Sequence, residues 1–164
     1  MKLGVICDGI SRDLSHALRV MDEFGLDYAE LQFVWDKEVG DHDASEIAQI
    51  KELLDTHNKP VSCLSRHIFA GLTTASKAGD KDHTRHMDYL KCVIEMAHQL
   101  NCPLVRIMTS KKEQILWGTN GAEHWNVAKG AWDTLPPLIA PAVDLARTEG
   151  ILSLIHISEP TRHE

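Results

Sequence analysis

Two hydrophobic periods alternate along the chain. Leu3–Cys7, Tyr28–Val34, Pro60–Ser65 and Pro103–Thr109 are short, mostly apolar runs of strand type. Between them, apolar residues recur at helical spacing. Asp13–Phe24 carries Leu14, Ala17, Leu18 and Met21, and the segment after Asp43 carries Ile47, Ile50, Leu53 and Leu54. A third stretch carries Met87, Leu90, Ile94 and Ala97. A loop through Gly118 and Gly121 leads to a helical region, Glu123–Thr148, after which Gly150-Ile151 opens a fifth strand.

The punctuation agrees with this division. Gly25 supplies a helix stop. Asp43-Ala-Ser-Glu46 reads as a capping box with Asp in place of Ser or Thr. Asp82, at the end of the Gly/Ser/Thr/Lys-rich loop Gly71–Lys81, is expected to cap the third helix. Pro136-Pro137 predicts a break of the last helical region into two helices, with one proline in the first turn of the second. Asn58-Lys-Pro-Val and Asn101-Cys-Pro-Leu each close a helix and launch a strand.

Strand-plus-helix alternation implies a parallel sheet with right-handed crossovers. Either an open doubly wound sheet or a (β/α)₈ barrel satisfies it. The turn after the first strand, Cys7-Asp-Gly-Ile-Ser11, lacks the G-x-G-x-x-G of a nucleotide-binding open sheet.

Composition narrows the classes. A chain of 164 residues with 43% hydrophobic and 25% charged residues has the make-up of one ordinary globular domain. Its net charge of −7 argues against a nucleic-acid surface, which needs clustered Lys and Arg, and suits a small-molecule enzyme. No apolar run approaches the ~20 residues of a membrane helix, and the start lacks the layout of a secretory leader. The four cysteines form no C-x-x-C pair and read as reduced, buried residues of a cytoplasmic protein.

Three stretches carry a family resemblance: FGLDYAELQF, AGDKDHTRHMDYLKCVIEMAHQLNCPLVRIMT and VDLARTEGI. Their order and spacing over Met1 to Ile151 resemble the N-terminal half of the xylose-isomerase-like barrels. That family contains sugar and sugar-phosphate isomerases and epimerases, inosose dehydratases and endonuclease IV. The resemblance implies an α/β fold, a truncated (β/α)₈ TIM barrel with about four βα units, because a full barrel needs roughly 250 residues. It also implies proton transfer at a carbon next to a carbonyl, assisted in the full-length parent by Mn²⁺, Mg²⁺ or Co²⁺. The family's usual metal ligands, on strands 5 to 8, are not assigned to this chain. The expected partner is a sugar or sugar phosphate, with no nucleic acid and no membrane. The alternatives are an endonuclease IV-type nuclease, an inosose dehydratase relative, and a non-catalytic fragment that self-associates through open sheet edges.

In such barrels the site lies at the C-terminal strand ends. Glu30 there reads as a hydrogen-bond partner for a sugar hydroxyl or as a paired structural carboxylate. His67 reads as a substrate contact, a metal ligand as in the endonuclease branch, or a plain loop histidine. Arg106, among Val105, Ile107 and Met108, needs a partner if buried, either Glu30 or a substrate oxygen. These three are the expected substrate-binding residues. Cys7-Asp8, Gln32, Arg66 and Thr109 also lie at strand ends. Trp35, Trp117 and Trp125 read as pocket walls or as ordinary packing. His83 and His86, three apart, are expected on a solvated helix face rather than on a metal, and Lys111-Lys112 as a solvated pair rather than a phosphate site.

The segment Leu152–Arg162, LSLIHISEPTR, resembles the translation of a transposase adapter used to fragment DNA. The expected division is therefore a partial barrel domain over residues 1–151 and a non-native tail over 152–164. His156 falls where the family's strand-5 Glu belongs, inside that segment, and is not taken as a ligand.

Overall fold

The computed structural model describes residues 1–72, 75–108 and 131–156. In it, β1 (Gly4–Ile6) runs into a 3₁₀ turn (Cys7–Gly9) and is followed by α1 (Leu14–Glu23) and β2 (Tyr28–Leu31). A small antiparallel hairpin, β3 (Phe33–Val34) and β4 (Lys37–Glu38), precedes α2 (Ala44–Thr56) and β5 (Val61–Ser65). Then come α3 (Lys81–Gln99), β6 (Leu104–Met108), α4 (Ala131–Thr148) and β7 (Leu152–His156). The main sheet has five parallel strands in the order β1-β2-β5-β6-β7. Each new strand adds to the same edge. A doubly wound sheet reverses direction at a switch point, and none occurs among the described strands. Right-handed crossovers in one direction place the helices on one face, the arrangement of a barrel wall.

The helix-facing positions form the core. Ala29, Leu31, Val105 and Ile107 from the strands pack with Leu14, Leu18 and Met21 of α1, Ile50 of α2 and Leu90, Val93 and Met96 of α3. The Asp43 capping box is present, with Ser45 and Glu46 N–H groups donating to Asp43 and the Glu46 carboxylate accepting from Asp43 N–H. Four helices end in the same way. Leu26, Lys59, Cys102 and Ile151 donate backbone N–H groups to Met21, Leu54, Ala97 and Ala146 at 2.9 Å each. The preceding residue is in each case left-handed: Gly25 (φ 62°), Asn58 (φ 51°), Asn101 (φ 52°) and Gly150 (φ 68°). These are Schellman closures, with Asn tolerated where Gly is usual. They explain the two Asn-x-Pro junctions.

Several expectations are corrected. Tyr28–Val34 is not one strand. β2 carries a register shift at Ala29/Glu30 and ends at Leu31, and Phe33–Val34 pairs instead with Lys37–Glu38 in the hairpin. The cap of α3 is Asp80, whose carboxylate accepts from His83 and Lys77 N–H groups, while Asp82 pairs with Arg85 in the first turn. Pro136, Pro137 and Pro141 lie inside one continuous α4 rather than at a break. Cys92 is exposed, unlike Cys7, Cys63 and Cys102. Residues Leu152–His156, within the segment read as foreign, pair with β6 from Leu104↔Leu152 to Met108↔His156. Backbone ladder bonds at a free edge accept any extended segment.

His83 and His86 are buried, not solvated. His83 stacks on Phe69, its Nδ1 accepts from Gly79 N–H and its Nε2 donates to the Leu138 carbonyl. His86 Nδ1 accepts from Phe69 N–H at 3.1 Å. Both rings are thus bonded in their neutral form. Burial holds the His86 pKa below its ordinary 6.5, and the Arg85 charge adds to the effect. Below pH 6.5 the unfolded chain binds a proton that the folded one resists. Stability present above that pH is therefore lost as pH falls through the folded value. Thermal midpoints measured from pH 7.5 to 5 are expected to drop, and the drop should be smaller in His86→Gln, whose carbonyl can still accept from Phe69. An unchanged slope in the variant would assign the loss to other groups.

Candidate functional site

Strand alternation sends Glu30, Cys63, Ser65 and Arg106 to the face opposite the helices. The register sets Glu30 beside Cys63 and Ser65 beside Arg106. Ser65, fully buried, donates its hydroxyl proton to Glu30 Oε1. Arg106 Nη1 stands 3.9 Å from the same oxygen. Its Nε is buried and has no hydrogen-bond partner among the described residues. Glu30 and Arg106 are therefore brought together as a pair, and the guanidinium keeps unused donor capacity.

Two residues further along the same strands lies a second cluster. Gln32 follows Glu30 and His67 follows Ser65. Gln32 Nε2 sits 3.1 Å from His67 Nε2. The same amide nitrogen is 3.4 Å from His67 Nδ1, which donates in the ring plane to Glu38 Oε1 at 2.7 Å, and the His67 backbone N–H donates to the same oxygen at 3.0 Å. Glu38 Oε2 faces Arg66 Nε at 3.6 Å. Arg66 is only 4% exposed. It donates to both Asp41 carboxylate oxygens, at 2.8 and 3.0 Å, and to the Val39 carbonyl at 2.7 Å, with its guanidinium over the Tyr89 ring. Asp8 Oδ1 accepts from Phe33 N–H and ties the turn after β1 to the hairpin.

Glu38 is the residue that sequence reasoning missed. It lies in a segment with no period, and its role depends on the hairpin folding back over β5. The available signal was Trp35-Asp36, a turn inside what otherwise looked like a strand-to-helix loop. Trp35 adopts φ 54° and sets its ring edge against His42, which is packing. Thr109, Lys111, Lys112, Trp117 and Trp125 lie outside the described residues.

The three buried cysteines are held as thiols. Burial pushes the Cys7 thiol up to about 12 and Cys102 to about 11, and raises Cys63 as well. Among the described residues no group of three His, Cys, Asp or Glu side chains is placed to hold a metal ion. The described residues alone do not fit the divalent metal that the family resemblance implies. A cleft of about 320 Å³, lined in part by Gly40, His42, Cys92 and Glu95, lies between α2 and α3. It includes none of Glu30, His67 or Arg106.

A parallel barrel wall with its polar residues gathered at the C-terminal strand ends defines a (β/α)-barrel protein. The family model of the xylose isomerase-like TIM barrel matches residues 18–162, and the chain belongs to that family. No curated protein sequence matches it. Among solved structures, D-psicose 3-epimerase in the presence of D-fructose is similar, with a TM-score of 0.58 and 12% identity over 100% of this chain and 55% of the other. A xylose isomerase-like TIM barrel protein from Mycobacterium smegmatis in complex with magnesium gives 0.56 and 16%, over 88% and 46%. An AP endonuclease, family 2, from Brucella melitensis gives 0.56 and 15%, over 94% and 55%. At these identities the likeness is one of fold. The chain spans about half the length of these structures.

Because Glu30 faces both Ser65 and Arg106, Glu30→Gln is expected to lower stability by about 1–3 kcal/mol. Adding Arg106→Met should recover part of that loss, because it removes the stranded charge. Denaturant melts of the two single variants and the double variant give the coupling, and strict additivity would mean that no pair exists.

Proposed function

We propose that the protein to which this chain belongs is a sugar or sugar-phosphate isomerase or epimerase that moves a proton at a carbon next to a carbonyl. The observation that carries this reading is the Ser65–Glu30–Arg106 cluster beside Gln32 and His67. It is a wall of fixed donors and acceptors suited to a polyhydroxylated ligand. In this reading Glu30 accepts from a substrate hydroxyl, Arg106 donates to a carbonyl or phosphate oxygen, and His67 meets a further hydroxyl. The family membership supports it, as do the sugar-processing enzymes among the similar structures. The nuclease alternative draws less support, since a net charge of −7 disfavours a phosphate-backbone surface.

The divalent metal of such an enzyme belongs, in this reading, to strands other than those described. The whole protein, incubated with ketoses and ketose phosphates in D₂O, is expected to incorporate deuterium at the carbon beside the carbonyl. Arg106→Met should raise KM about 10–100-fold, the size of a lost charged hydrogen bond. Excess EDTA should abolish exchange and added Mn²⁺ restore it. Full exchange in EDTA would overturn the metal assignment, and no exchange with any such sugar would overturn the reaction class.

We also propose that residues 1–151 are the family domain and that 152–164 derive from an adapter. Resequencing the source DNA across the Gly150 codon is expected to yield a frame that departs from LSLIHISEPTR. A source that encodes those residues would refute the assignment.

A further inference from the structure

The hydrogen bonds around His67 fix more than its position. A carboxylate accepts only, so the 2.7 Å contact to Glu38 Oε1 requires the proton on Nδ1. The Gln32 amide nitrogen lies 3.1 Å from Nε2 and 3.4 Å from Nδ1, over the ring face, so it does not occupy the in-plane lone-pair direction of Nε2. A neutral ring with its proton on Nδ1 has a bare Nε2, which can accept a proton in the ring plane. Glu38 is itself held rigidly. The same Oε1 takes the His67 backbone N–H, and Oε2 faces Arg66, which Asp41, Val39 and Tyr89 lock in the interior.

We propose that Glu38 is the positioning residue for His67. It sets the Nδ1–H tautomer and so makes Nε2 a general base for a substrate hydroxyl. The proposal rests on the reading of His67 as a substrate contact. In the step, the substrate O–H bond breaks, its electron pair stays on oxygen and the proton forms the Nε2–H bond. The imidazolium so formed keeps its Nδ1–H on the Glu38 carboxylate, which balances the new charge. The proton returns to the substrate when the product forms. Arg66 acts one contact further out, by keeping the carboxylate aimed at the ring.

The test uses the full chain with ¹⁵N-labelled histidine. Long-range proton–nitrogen correlation at pH 8 reads which ring nitrogen carries the proton. The expected result for His67 is a protonated Nδ1 and a bare Nε2. Gln32→Ala should leave this unchanged, whereas Glu38→Ala should shift the ring toward the Nε2–H form and Glu38→Asp should restore Nδ1–H. A wild-type His67 protonated on Nε2 overturns the proposal even if Glu38→Ala fails to fold, as does an unchanged tautomer in a folded Glu38→Ala. In the exchange assay of the whole protein, Glu38→Ala should lower kcat about 100-fold with KM within about threefold. Wild-type-like kcat overturns the base assignment. If no sugar undergoes exchange while the tautomer is as expected, the isomerase reading fails and the Glu38–His67 arrangement stands.

Discussion

The buried guanidinium of Arg66 is the constraint on which the mouth of this sheet depends. A charge withdrawn from water costs several kcal/mol unless its donors are met by well-placed acceptors. Arg66 sits at the end of β5, so those acceptors must come to it. The β3–β4 hairpin and the following loop supply Glu38, the Val39 carbonyl and Asp41, and α3 supplies the Tyr89 ring. The chain closes this tightly because Gly40 stands at φ 91°. A Cβ there would meet Val93 Cγ2 at 2.8 Å and Arg66 Nη1 at 3.2 Å. One charged side chain thus fixes a hairpin, a loop and a helix around the ring of the next residue, His67.

The alternation of strand and helix was legible because it rests on local periodicity, and the helix stops were legible because Asn and Gly at left-handed positions are local chemistry. The pairing of Glu30 with Arg106 followed from alternation in two strands plus the cost of an unpaired charge. What escaped was long-range. Glu38 acquires its role from a hairpin that no run of residues announces. His83 and His86 were misread by residue type, yet their signal was present: 83, 86, 90, 93 and 97 continue one apolar stripe, and a histidine with both ring nitrogens bonded is at home in a core. The prolines of α4 were overweighted. A proline removes a donor and crowds the preceding turn, and a helix packed against α3 and β7 can absorb that loss.

The two faces of the sheet divide the labour. Toward the helices the strand residues are apolar and buried. The opposite face carries Glu30, Ser65 and Arg106 and continues into Gln32 and His67. A fold of this kind carries different reactions on different site residues. On the second face the hairpin adds the Glu38 carboxylate to the ends of the strands.

The four identical helix exits bear on how the chain reaches this state. Each exit turns the backbone through contacts spanning only five residues, from the end of a helix to the start of the next strand. Each strand then pairs with the neighbour just one unit back. Search during folding is therefore confined to adjacent units, which keeps contact order low for a parallel sheet, a class that otherwise folds slowly. Repeating a single exit chemistry turns a topologically expensive sheet into a succession of short, similar closures.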